Sequence, residues 1–124
     1  MITIFLLNNQ PSMRAVLRLR LELEADFVVT GDAALGEEAL AQVIALAPDV
    51  VILDAMMPFL DQSDATLHLS NVARISTVIV LSLYDDPLTR TNAIAAGATA
   101  VVSKHATDDL LLAAIRTAAA SPAS

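Results

Sequence analysis

Apolar and polar positions along the chain sort into two alternating kinds of segment. Short runs dominated by Val, Ile, Leu or Phe occupy 2–7, 27–30, 50–54, 77–82 and 99–103. Longer stretches rich in Ala, Leu, Arg and Glu occupy 11–24, 35–47, 61–72, 87–96 and 107–120. The first kind has the length and β-branched content of strands, the second the length and composition of helices. The unit recurs about every 20 to 25 residues, the spacing of a strand-helix pair and not of a solenoid.

Strands that are almost continuously apolar belong to a parallel sheet covered on both faces, and right-handed crossovers place helices on each side. The pattern therefore predicts an α/β domain, a five-stranded parallel sheet sandwiched by five helices in a flavodoxin-like (βα)5 order. Helix ends support the boundaries. Pro11 and Pro87 suit a first helical position, and Asp86 and Thr107 are placed to cap the helices that follow them. Asp108 and Asp109 sit where a helix dipole favours acids, and Pro48 stops the second helix. One stretch is ambiguous: 17–24 alternates Leu with Arg or Glu, as a half-buried strand would. Its residues are strong helix formers, and Arg18 with Glu22 and Arg20 with Glu24 can pair at i,i+4, which favours helix. On that helix Leu17 and Leu21 share one face while Leu19 and Leu23 share the opposite one, so one pair stays exposed.

A length of 124 residues suits one domain, 1–120, with 121–124 as the start of a linker or tail. Residues 1–7 lack a basic leader and a cleavage site and read as a strand. The chain is 56% apolar, yet its apolar runs are too short to span a bilayer, and the absence of cysteine suits a reducing cytoplasm. A net charge of −7 and an aromatic content of 3% argue against gripping a nucleic acid through this domain. With three glycines, no G-x-G-x-x-G, P-loop or G-x-S-x-G is present, and no enzymatic activity is expected.

In an open parallel sheet, function gathers at the carboxyl ends of the strands. There the sequence places Asn8 and Asn9, Asp54, Ser82, and Ser103 with Lys104. A carboxylate, a hydroxyl and an ammonium in one crevice can accept and hold a phosphoryl group. Lys104 is the sole lysine in a chain that otherwise uses arginine. His68 lies among apolar residues with no second ligand spaced to join it, and reads as packing or surface. Asn8 and Asn9 also suit a plain structural role in shaping the strand-helix turn.

Val50-Val-Ile-Leu-Asp54-Ala-Met-Met-Pro58, together with Ala96-Gly-Ala98 and Lys104, resembles the receiver domains of two-component response regulators. The likeness covers essentially the whole chain, and the helix from Asp108 is similar to receivers of LuxR-type regulators. The resemblance implies Asp54 as phosphoacceptor, Ser82 as switch hydroxyl, Lys104 as the cation on the phosphoryl oxygens, and a sensor histidine kinase as partner. It also marks departures. Asn8 and Asn9 stand where the family places an acidic pair for Mg²⁺, and with Met56 they make a degenerate metal site. One carboxylate then faces one ammonium, and neutral amides cannot offset the charge of Mg²⁺, so little or no metal binding is expected. Val101, Leu83 and His105 replace the family's usual aromatic, small residue and proline. The expected function is an atypical receiver, the input domain of a transcription regulator, acting through protein contacts with little dependence on phosphorylation. A competent phosphoacceptor at Asp54 and a purely structural module remain as alternatives. A homodimer is expected through Leu19 and Leu23 of the first helix and Leu111, Leu112 and Ile115 of the last. Absent the competing acids, Asp54 and Lys104 should form a direct ion pair.

Overall fold

The computed structural model describes residues 1–55, 64–82, 87–104 and 108–120. Its elements follow in the order β1 (Ile2–Leu7), α1 (Pro11–Glu22), β2 (Phe27–Ala33), α2 (Glu37–Leu46), β3 (Val50–Ala55), α3 (Asp64–Ala73), β4 (Thr77–Ser82), α4 (Pro87–Ala96), β5 (Ala100–Ser103) and α5 (Asp108–Ala120). The five strands form one parallel sheet in the order β2-β1-β3-β4-β5. The direction of winding reverses between β1 and β3, which makes the carboxyl ends of those two strands the floor of a crevice.

Alternation along the strands divides the core in two. Phe5, Leu7, Val51, Leu53, Val78 and Val80 face α2, α3 and α4, while Ile4, Leu6, Val50, Ile52, Ile79 and Leu81 face α1 and α5. Both sets are buried, which is why these strands read as unbroken apolar runs. Asp54 continues the second set by its position, so its side chain belongs to the α1–α5 face. Gly97 closes α4 at φ +121°, and a Cβ there would come within 2.7 Å of the Ala73 side chain, so both conformation and space demand glycine.

Pro11 opens α1 and Pro87 opens α4 as expected, and Ala47 leaves α2 in the left-handed region just before Pro48. The caps expected from Asp86 and Thr107 lie outside the described residues. β2 runs three residues past its apolar stretch, because Gly31, Asp32 and Ala33 pair with Phe5, Leu6 and Leu7 after a register shift. Sheet pairing there overrides the poor strand propensity of Gly and Asp. The ambiguous stretch is helical through Glu22, with both expected i,i+4 pairs formed, Arg18–Glu22 at 3.0 Å and Arg20–Glu24 at 3.6 Å.

Leu21 is buried while Leu19 and Leu23 are exposed. The other half of the expected surface patch needs correction: Leu111, Leu112 and Ile115 lie in the core. Successive helical residues diverge by about 100°, so three adjacent leucines cannot share a face. Leu111 and Leu112 flank the line toward the sheet, Ile115 continues it, and Leu110 alone of the three turns outward. No helix among the described residues is long and apolar enough to cross a membrane.

Candidate functional site

The strand ends bring Asn8, Asp54 and Lys104 into contact. Asp54 sits one position before the end of β3 and is almost fully buried, and the Lys104 ammonium, carried just past β5, forms an ion pair with its Oδ1. Lys104 is held there by its own backbone, whose N–H donates to the Ser82 carbonyl at 2.9 Å and extends the β4–β5 ladder by one residue. Ser82 itself is fully buried at the end of β4.

The second oxygen of Asp54 is also engaged. The Asn8 side-chain amide donates to Asp54 Oδ2 at 2.5 Å, and Asn8 is 1% exposed. Its orientation is fixed from both sides, since Asn8 Oδ1 accepts the Gln10 N–H at 2.6 Å while its nitrogen meets the carboxylate. Exchanging oxygen and nitrogen would set a carbonyl against a carboxylate and a donor against a donor. A third tie comes from Arg14, whose Nη1 donates to the Asn8 carbonyl at 2.5 Å while its Nε pairs with Asp32 at 3.0 Å. Arg18 reaches the other oxygen of Asp32 at 2.7 Å. The turn after β1 is thus pinned to α1 and to the end of β2.

Asn9 behaves differently. It is exposed, and its Oδ1 accepts the Leu35 N–H at 2.8 Å, tying the end of β1 to the approach of α2. Met56, and with it Leu83 and His105, lies outside the described residues.

Chemically, the carboxylate faces two donors on two different elements, an ammonium on one oxygen and an amide on the other. The amide bond to the carboxylate is of the charge-assisted kind, among the stronger hydrogen bonds in proteins, while the ammonium acts as an ion pair. The Asn oxygens that a cation would need are already accepting backbone N–H groups.

Some participants were not legible in the sequence. Arg14 and Arg18 carried a usable signal, two arginines at i,i+4 with an acid at the end of the neighbouring strand. His68 carried none: its Nε2 lies 2.9 Å from the Gly36 carbonyl oxygen and 3.2 Å from the Gly36 nitrogen, holding α3 against the start of α2.

Residues 4–116 match the family described as the response regulator receiver domain. The chain is 35% identical to YvfU of Bacillus subtilis (strain 168), described as an uncharacterized transcriptional regulatory protein, over 94% of this chain and 58% of that protein. It is 36% identical to the transcriptional regulatory protein UhpA of Salmonella typhimurium over 96% of this chain and 59% of that protein. The chain thus spans under two thirds of the length of these relatives. Among solved structures, the signal receiver domain of the response regulator NarL from Mycobacterium tuberculosis superposes with a TM-score of 0.80 at 25% identity, covering 97% of each chain. With the parallel sheet, the acid at the end of β3 and the lysine past β5, these likenesses agree: the chain belongs to the response regulator receiver domain family.

Proposed function

We propose that this domain is an atypical receiver that signals through protein contacts with little or no dependence on phosphorylation, as the input half of a LuxR-type transcription regulator. The observation that carries the reading is the pair of donors on Asp54. In a phosphorylatable receiver, a hydrated Mg²⁺ would have to be held beside the acceptor by carboxylates and would offset charge on the incoming phosphoryl group. The residues present do not fit that ion. Asp54 is the one carboxylate among Asn8, Asn9 and Asp54, its charge is already offset by the Lys104 ammonium, and the amide oxygens are spent on Gln10 and Leu35. Asn8 stands in for the cation: it delivers a fixed donor to the same carboxylate and carries no charge to attract phosphate.

The transcriptional assignment rests on the relatives, YvfU and UhpA, each described as a transcriptional regulatory protein. A methylesterase of Anaeromyxobacter dehalogenans is also 36% identical over 84% of this chain, so the receiver type alone does not dictate the output. The acidic surface, net −7, leaves DNA contact to another part of such a regulator. In this reading a sensor histidine kinase is dispensable for the signal, and self-association carries it. The exposed stripe of Val16 and Leu19 on α1 and Leu23 just past its end, with Leu110 on α5, is the face for a homodimer, and the apolar spacing of 16, 19 and 23 follows one side of a helix.

The test is an acyl-phosphate mass measurement after incubation with a small phosphodonor, with Asp54→Asn as the blank. No mass gain over the blank is expected. Stoichiometric modification of the wild type would favour the competent phosphoacceptor instead. Light scattering of Leu19→Glu checks the dimer: a fall to monomer mass is expected, and a wild type already monomeric at high concentration would remove it.

A further inference from the structure

Beside the Asp54–Lys104 pair, the helices α1 and α5 stand apart over the ends of β4 and β5 and leave a cavity of about 320 Å³. Its walls are Val16 and Leu17 from α1, Leu111 from α5, and Leu81 and Val102 from the sheet. This volume lies at the lower end of the range of pockets that take small organic molecules.

Among the described residues, the charged groups on its lining cancel in pairs. Lys104 is bound to Asp54 at the floor, and Arg20 is bound to Asp108 at 2.9 Å nearer the surface. A charged ligand would have to break one of these pairs or enter without a counter-charge. An uncharged one gives up nothing of the kind. Depth separates a small molecule from a docking helix: Asp54 and Leu81 line the cavity yet are only 4% and 7% exposed, out of reach of a helix resting on the rim. An ionised carboxylate has about four acceptor positions. Lys104 and Asn8 each meet one oxygen of Asp54, so the carboxylate can accept a further bond from a ligand.

We propose that this cavity binds a small, uncharged, mainly apolar molecule carrying one O–H or N–H group, which donates to the Asp54 carboxylate while the apolar body lies between α1 and α5. The inference rests on the cavity's shape, apolarity and charge balance, and stands independently of whether Asp54 accepts phosphate. Bound there, such a molecule touches both helices and the phosphoacceptor position at once.

The probe is N-phenyl-1-naphthylamine, an uncharged apolar fluorophore with one N–H donor, titrated into the wild-type protein without any phosphodonor. Saturable fluorescence enhancement at one probe per chain is expected. Val102→Phe fills the cavity from the sheet side and should weaken binding by about ten-fold or more. Met13→Trp, at the partly exposed rim where it cannot threaten the core, should weaken it too, and carries the test if the Phe variant fails to fold. The N-methylated probe, which lacks the donor, should bind more weakly than the parent. Absence of saturable binding to the wild type overturns the proposal. So does binding that survives both cavity variants but disappears in Leu19→Glu, since the probe would then be reporting the exposed α1 stripe. Equal affinity of the two probes removes the assigned hydrogen bond to Asp54.

Discussion

The ion pair at the ends of β3 and β5 and the arginine cluster between α1, β2 and α5 are made of the same chemistry in different surroundings. Asp54 and Lys104 have side chains 4% and 11% exposed. Arg116, which pairs with Asp26 and Glu24 at 2.9 Å and lies 4.8 Å over the Phe27 ring, is 42% exposed, and Asp26 is 47% exposed. Water screens the second cluster, so its pairs hold α5 against the turn between α1 and β2 at little energetic consequence. The first is different. Removing one partner of a buried pair strands the other charge, and the penalty falls on the survivor. Burial, and not the number of contacts, therefore singles out the strand-end cluster as the place where a substitution will be felt.

The largest expected effect is that of Lys104→Met, which leaves Asp54 buried without its ammonium. Urea unfolding should show a loss of about 3 to 5 kcal/mol, and the double variant Asp54→Leu with Lys104→Met should recover much of it. A loss below the measurement error would mean that the pair is far wetter than its geometry indicates. Next is Asn8→Asp. It sets a second carboxylate against Asp54 where an amide now donates, and two adjoining carboxylates cannot both ionise without cost. In the presence of a chelator the variant should lose about 2 kcal/mol, and millimolar Mg²⁺ should restore part of that loss. An unchanged denaturation midpoint in chelator would show that the amide contact contributes nothing.

The smallest effect belongs to the exposed cluster. The Arg116 guanidinium, hydrogen-bonded to Asp26, holds that carboxyl below the usual aspartate range. A carboxyl lowered in the native state contributes stability above its unfolded value and loses it as pH falls through the native one. The deficit of Arg116→Ala relative to the wild type should therefore be larger near neutrality than in strong acid, where only its contact with the Phe27 ring is lost. A difference that grows as the pH falls would reverse this assignment.

The same contrast explains what could be read from the chain. Burial on both faces makes the strands legible: β1 and β4 are found at their expected bounds, since Ile4 to Leu7 and Val78 to Leu81 are apolar at every position. The end of β2 was not, because Gly31 and Asp32 are held by pairing with Phe5 and Leu6 and not by their own preference. Asp54 and Lys104 stood out as an acid closing an apolar strand and the sole lysine, and the expected ion pair between them is present. The Asn8 contact was illegible. Asn8 and Asn9 are the same residue side by side, yet one is buried against Asp54 and the other exposed on Leu35, a difference set by the direction of the chain as it leaves β1. Leu111, Leu112 and Ile115 misled for a related reason, since composition shows a surplus of leucine but only helix phase shows where it points.

The central claim is that Asn8 has replaced a metal ion with a fixed amide donor on Asp54. Its most direct test is a Mg²⁺ titration, followed by NMR of the backbone amides around Asp54, on the wild type and on the double variant Asn8→Asp with Asn9→Asp. The account predicts no saturable shift in the wild type up to about 10 mM and saturable binding in the double variant, which adds two carboxylates at the end of β1. Wild-type protein that binds Mg²⁺ as tightly as the double variant would contradict it.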